Sequence, residues 1–153
     1  MDILFLCTGN TCRSNMAEAI FNKFNKNEEI KSYSAGTSIE YKSQTSLNTN
    51  YILKNELGLD IKDRYAVLLN YNMVESSTLI LTMTKKQKEV VKNEFPEFKG
   101  KMFSLNEYVN KPSDIKDPYG GNLNVYLETY NDILSSIILL INKLKEDSGT
   151  IYM

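Results

Sequence analysis

An apolar run, Ile3-Leu4-Phe5-Leu6, leads into Cys7-Thr8-Gly9-Asn10-Thr11-Cys12-Arg13-Ser14, and a helical pattern begins near Asn15. The run does not alternate, so a strand over Asp2–Leu6 has to be covered on both faces, as in a parallel sheet. Met16, Ala17, Ile20, Phe21 and Phe24 then recur at three- and four-residue steps. That spacing predicts an amphipathic helix to about Asn25, with Ser14 placed to cap it. A buried strand, a short loop and a helix in this order leave few folds open.

The rest of the chain repeats the alternation. Lys31–Ala35 reads as a second strand ended by Gly36, and Ser43–Leu57 as a helix carrying Leu47, Tyr51, Ile52, Leu53 and Leu57, with Gly58 at its C-terminal stop. Ser77–Met83 is another run of the buried-strand type. A helix from Thr84 to about Phe95 is stopped by Pro96, and Lys101–Ser104 is a short strand. Asn106–Asn124 contains Pro112, Pro118, Gly120 and Gly121 and reads as a long loop, the kind that often carries function. Tyr130, Ile133, Leu134, Ile137, Ile138, Ile141 and Leu144 form the stripe of a last helix. Asp60–Asn70 fits neither period. Four strands alternating with helices predict a parallel sheet with helices on both faces, in one domain over 1–153. Ligands in such sheets bind at the carboxyl ends of the strands, where Cys7 falls.

The loop has the parts of an oxyanion cradle. Backbone N–H groups at a helix start face inward, and the helix dipole adds positive charge. Gly9 permits a tight turn, and Asn10 tolerates the left-handed backbone that such a nest of amides needs. Arg13 offers a permanently charged fork that matches two phosphate oxygens. The same field favours the thiolate of Cys7, and Ser14 can donate a hydrogen bond to that sulfur.

Composition narrows the chemistry further. The chain has no histidine and only two cysteines. That excludes a Ser-His-Asp triad, a Cys-His dyad and any histidine metal site, and two thiols alone do not make a zinc site. An acid or base must therefore be Asp, Glu, Lys, Tyr or Cys. Asp117 in the long loop is the candidate, because Pro118 holds its backbone extended and helps aim the carboxyl. It would protonate a leaving atom and then activate water. The formal net charge of -1 gives no global case for nucleic acid or an anionic membrane. No apolar stretch approaches a membrane span, and no signal peptide is evident, so a cytoplasmic protein is expected; a monomer is the separate expectation for its oligomeric state.

Together, Leu4 to Ala19 resembles the start of the low-molecular-weight protein tyrosine phosphatase family. Ser34-Ala35-Gly36-Thr37, Leu81-Thr82-Met83-Thr84 and Asp117-Pro118-Tyr119-Gly120 resemble its later landmarks in order and spacing. The resemblance implies a three-layer fold with sheet order 2-1-3-4 and the phosphate-binding loop after the first strand. It implies a phosphatase acting on phosphorylated proteins through a cysteinyl phosphate, with Cys7 as nucleophile, Arg13 as phosphate clamp, Asp117 as general acid, and no metal or other cofactor. Thr8, Gly9, Asn10, Thr11, Cys12, Ser14 and Tyr119 would line the substrate site. Threonine at position 11, where tyrosine phosphatases usually carry Ile or Leu, resembles the protein arginine phosphatase branch. A small hydroxylated wall suits a guanidinium better than a phenol.

The chain departs from the family pattern in two places. Asn15 stands where Pro is usual. Asp63-Arg64-Tyr65 replaces a segment that helps hold the loop asparagine, which leaves Ser14 and Ser34 as candidate supports for Asn10. Thr37–Ser46 is also unusual and is expected at the substrate entrance. Cys12 is either a structural thiol or a reversible disulfide partner of Cys7. Tyr119 is either a loop residue or an aromatic wall, and Lys85, Lys86 and Lys88 read as a solvated helix face. Rival readings are a tyrosine phosphatase, an arsenate reductase (which needs further cysteines for its relay) and a silent phosphate-binding module.

Overall fold

A computed structural model describes residues 1–148; residues 149–153 of the expected domain lie outside the described residues. Strands β1 (Asp2–Cys7), β2 (Lys31–Gly36), β3 (Leu79–Thr82) and β4 (Met102–Ser104) form one sheet in the order β2-β1-β3-β4. All three pairings are parallel, so the expected 2-1-3-4 sheet is present. The helices are α1 (Arg13–Phe24), α2 (Leu47–Leu57), α3 (Tyr71–Ser76), α4 (Lys85–Glu94), α5 (Leu105–Tyr108) and α6 (Leu123–Ser148), with a 3-10 turn at Pro96–Lys101.

The non-alternating strands supply two cores at once. Ile3, Phe5 and Cys7 of β1, with Leu79 and Leu81 of β3, face a cluster built from α1, α2 and α6. Leu4, Leu6 and Ile80 face the opposite cluster, which contains Val74 of α3, Val91 of α4 and Met102 of β4. Burying both sides of each strand contributes about 1.5–3 kcal/mol for each large aliphatic side chain removed from water.

Several local expectations shift. Helix α1 starts at Arg13, two residues before the expected Asn15, and Ser14 lies inside it rather than capping it; Cys12 occupies the cap position and makes no side-chain cap bond. Helix α2 starts at Leu47, because Ser46 accepts from the Thr49 N–H and caps it there. Leu47 and Tyr51, read as apolar helix positions, are exposed, as is Ile138 of the last stripe. The expected loop over 106–124 contains most of α5 and the first residues of α6. A capping box, Ser104 with Glu107, starts α5. Thr84 with Gln87 does the same for α4. Lys88 is not a free surface charge: its ammonium sits 2.8 and 2.9 Å from the two carboxylate oxygens of Glu107. The 60–70 segment is irregular, tied down by isolated bridges Gly36–Leu68 and Gln44–Tyr65.

Candidate active site

The chain leaves β1 at Cys7 and enters α1 at Arg13, so the intervening loop closes directly above the carboxyl end of the central strand. Asn10 turns it with a left-handed φ of 55°. Its N–H donates to Cys7 Sγ at 3.3 Å, and Ser14 Oγ lies 2.9 Å from the same sulfur. The Asn10 side chain decides how that serine is used. Its Nδ2 donates to Ser14 Oγ at 2.8 Å, to Asn15 Oδ1 at 2.9 Å and to Ser34 Oγ at 3.0 Å. Because Ser14 Oγ accepts from Asn10, its own proton is available to the sulfur.

The carboxamide oxygen of Asn10 accepts from Arg64 Nη1 at 3.0 Å and from the Val67 N–H at 2.9 Å. Arg64 Nη2 donates to Ser34 Oγ at 3.0 Å, and Ser34 in turn donates to Glu18 Oε1. Both expected supports of Asn10, Ser14 and Ser34, are therefore in place. Arg64, Asn15 and the Val67 amide complete a shell that leaves Asn10 fully buried. Asn15, at the position where proline is usual, uses both ends of its amide: Oδ1 faces Asn10 and Nδ2 donates to Thr45 Oγ1 at 3.2 Å. No periodicity marks Arg64; its signal in the sequence is its place in Asp63-Arg64-Tyr65, which stands where the family holds the loop asparagine. Gln87 was also missed. Its Nε2 donates to Thr8 Oγ1 at 3.1 Å while its Oε1 accepts from the N–H groups of Met83 and Thr84, which links α4 to the loop.

Arg13 is 5% exposed. Its Nη1 donates to the Ile115 carbonyl at 2.9 Å, and Nη2 stands 3.7 Å from Asp117 Oδ2. Its Nε is buried with no partner among the described residues, a donor left over for an anion. Asp117 is held by the Tyr119 N–H, 3.0 Å from Oδ1, with its carboxyl half-exposed above the cradle. The loop bearing it is pinned by Ile115 N–H to Met83 O at 3.1 Å and by Lys85 N–H to Asp114 Oδ1 at 3.0 Å.

A cleft of about 290 Å³ opens over this floor. The structure brings Cys7, Thr8, Gly9, Asn10, Thr11, Cys12 and Arg13 to it, joined by Asp117 and Tyr119 from the loop before α6 and by Ser38, Glu40 and Ser43 from the segment after β2. Ser14 sits beneath, reaching the sulfur from the helix. Cys12 is a free, buried thiol; burial foremost, with the nearby Cys7 next, pushes it up to about 12 from its ordinary 9.0. It remains protonated where Cys7 would work. A thiol with converging donors at its sulfur, an unpartnered guanidinium donor and a carboxyl group above them suit in-line attack on a tetrahedral oxyanion and protonation of the group that leaves.

The chain matches the family described as "Low molecular weight phosphotyrosine protein phosphatase" over residues 2–149. It is 37% identical over 147 residues to the protein-arginine-phosphatase of Geobacillus stearothermophilus, covering 95% of this chain and 97% of that one. It is also 33% identical over 148 residues to the low molecular weight protein-tyrosine-phosphatase PtpB of Staphylococcus haemolyticus, covering 97% of this chain and 100% of that one. Among solved structures, a cysteine-to-serine mutant of the YwlE arginine phosphatase with a phosphorylated active-site serine superposes with a TM-score of 0.90 at 31% identity, over 98% of this chain and 99% of that one.

Proposed function

This chain belongs to the low molecular weight phosphotyrosine protein phosphatase family, and on that premise we propose that it hydrolyses phosphoarginine residues in proteins through a phosphocysteine at Cys7. The observation that carries this reading is the cradle around Cys7 Sγ. The Asn10 N–H and the Ser14 hydroxyl converge on the sulfur, and the unpartnered Nε of Arg13 is free for a phosphoryl oxygen.

In the first step the Cys7 sulfur attacks phosphorus. A P–S bond forms, the P–N bond to the guanidine breaks, and Asp117 gives its proton to the departing nitrogen. Arg13 and the loop amides hold the charge that builds on the three phosphoryl oxygens. In the second step Asp117, now a carboxylate, takes a proton from water. The resulting hydroxide forms a P–O bond, the P–S bond breaks, and inorganic phosphate leaves with the thiolate restored. Thr11 on the cleft wall and the half-exposed Asp117 carboxyl favour a flat cation over a phenol. The phosphorylated active-site serine in the mutant arginine phosphatase supports a covalent phosphoryl group at the matching position.

A second reading, tyrosine phosphatase activity on the same scaffold, is favoured by the 33% identical relative of that name and by Tyr119, an exposed ring at the cleft. An arsenate reductase is disfavoured, because Cys7 and Cys12 are the only thiols for a relay. Acid quenching of an Asp117→Asn variant mixed with a phosphoarginine peptide tests the covalent step. One phosphoryl mass on the peptide containing Cys7 is expected. An unmodified peptide, with turnover persisting in Cys7→Ser, would contradict it.

A further inference from the structure

We propose that Glu40 is a substrate-recognition residue, which together with Asp117 faces the guanidinium of phosphoarginine in the cleft that both line; this rests on the phosphoarginine reading above. The cleft floor carries the anion-binding groups, and Arg13 is the one cationic side chain that lines the cleft among the described residues. Two carboxyl side chains line it from different loops: Asp117, the proton donor of the first step, and Glu40, which has no part in the proton transfers. A carboxylate at the mouth repels an incoming phosphoryl dianion, so toward an aryl phosphate Glu40 is only a penalty. It is compensated when the substrate carries a cation bonded directly to phosphorus, as phosphoarginine does and phosphotyrosine does not.

The position of Glu40 is set by the cradle itself. The segment after β2 is tied to the loop by Thr37 N–H to Cys7 O, Ser38 N–H to Thr8 O and Ser46 N–H to Thr11 O, each at 3.0 Å. At Gly36 a Cβ would come within 2.6 Å of the Thr8 carbonyl oxygen, so the two segments are packed backbone to backbone. Between these ties, the Ser43 N–H and hydroxyl both donate to the Glu40 carbonyl, at 3.1 and 2.9 Å, closing a turn through Lys42 at φ 59°. The backbone is thus held while the carboxylate is exposed and has no partner among the described residues. The adjacent Lys42 does not neutralise it; its ammonium lies over the Tyr41 ring, 5.3 Å from the centroid.

The test compares the parent with Glu40→Gln and Glu40→Lys on a phosphoarginine peptide and on p-nitrophenyl phosphate. An exposed charge contact of this kind moves binding by at most about fivefold. Glu40→Gln is therefore expected to raise KM for phosphoarginine about threefold to fivefold with kcat unchanged, and Glu40→Lys to raise it further. Neither is expected to weaken turnover of the aryl phosphate, and Glu40→Lys should improve it. The contrast between substrates should shrink as salt is added. Parallel losses on both substrates, or no change on either, would overturn the assignment while the parent's preference for phosphoarginine stood. A parent without that preference would overturn the premise and Glu40 with it.

Discussion

Arg64 donates to the side-chain oxygen of Asn10 at 3.0 Å, across 54 positions of sequence. That contact fixes which end of the Asn10 amide faces the helix. With the oxygen held by Arg64 and the Val67 N–H, the nitrogen must point at Ser14, and the Ser14 hydroxyl is turned toward Cys7 Sγ. A surface loop thereby controls a hydrogen bond to the nucleophile through two intermediates.

Replacing Arg64 with Met should loosen Asn10 without touching the cleft. Misplacement of a reacting group by about 1 Å costs on the order of a hundredfold, so kcat is expected to fall by about tenfold to a hundredfold. Arg64→Lys should recover only part of this, since one ammonium cannot serve Asn10 and Ser34 as the fork does. Steady-state kinetics on p-nitrophenyl phosphate, with a thermal melt to confirm folding, check it. Unchanged kcat in a folded Arg64→Met protein would remove Arg64 from the account.

Thr11→Ile should fill the cleft wall with an apolar branch. One pocket contact is worth about 1–3 kcal/mol of discrimination. The ratio of phosphotyrosine to phosphoarginine turnover is therefore expected to rise about tenfold or more. A ratio that does not move assigns Thr11 to loop structure alone.

Asp117→Asn keeps the shape of the loop, including an oxygen for the Tyr119 N–H, but removes the transferable proton. General acid–base catalysis contributes about 10²–10⁴-fold, and a loss of that order is expected on peptide substrates. The deficit should be smaller on p-nitrophenyl phosphate, whose leaving group needs less protonation. An equal deficit on both would point to a positional role.

The Cys12 thiol makes stability depend on alkaline pH. Its folded value is raised by burial to about 12 from an ordinary 9.0, so the folded state favours the protonated form. The contribution is fully present below about pH 9, where both states are protonated, and is lost as pH climbs from there toward about 12. Denaturant midpoints measured across that window should fall more steeply for the parent than for Cys12→Ala. Parallel curves would contradict the burial argument.

The two inner strands, β1 and β3, were legible because each is buried on both faces: Ile3 to Leu6 and Leu79 to Leu81 are apolar without alternation. The cradle was legible because Cys7 through Ser14 is contiguous and its chemistry depends on residue type at fixed spacing. The segment Asp63-Arg64-Tyr65 stood out only as a departure from the family pattern; that Arg64 itself holds Asn10 was not legible, because residues 60–70 are held by isolated bridges and side-chain bonds that leave no period. Helix α5 was too short to show a stripe, although its Ser104–Glu107 capping box stood in the sequence. Asn15 and Arg64, the two departures from the family pattern, lie 3.5 Å apart on the same buried asparagine. Each alone reads as a loss, and only the fold makes them one network.

Substrate choice is tested most directly by kcat/KM on matched phosphoarginine and phosphotyrosine peptides under reducing conditions, which keep Cys7 and Cys12 as free thiols. A clear preference for phosphoarginine is expected, abolished together with all turnover in Cys7→Ser. Equal or faster hydrolysis of the phosphotyrosine peptide would contradict it and assign the chain to the tyrosine phosphatases of the same fold.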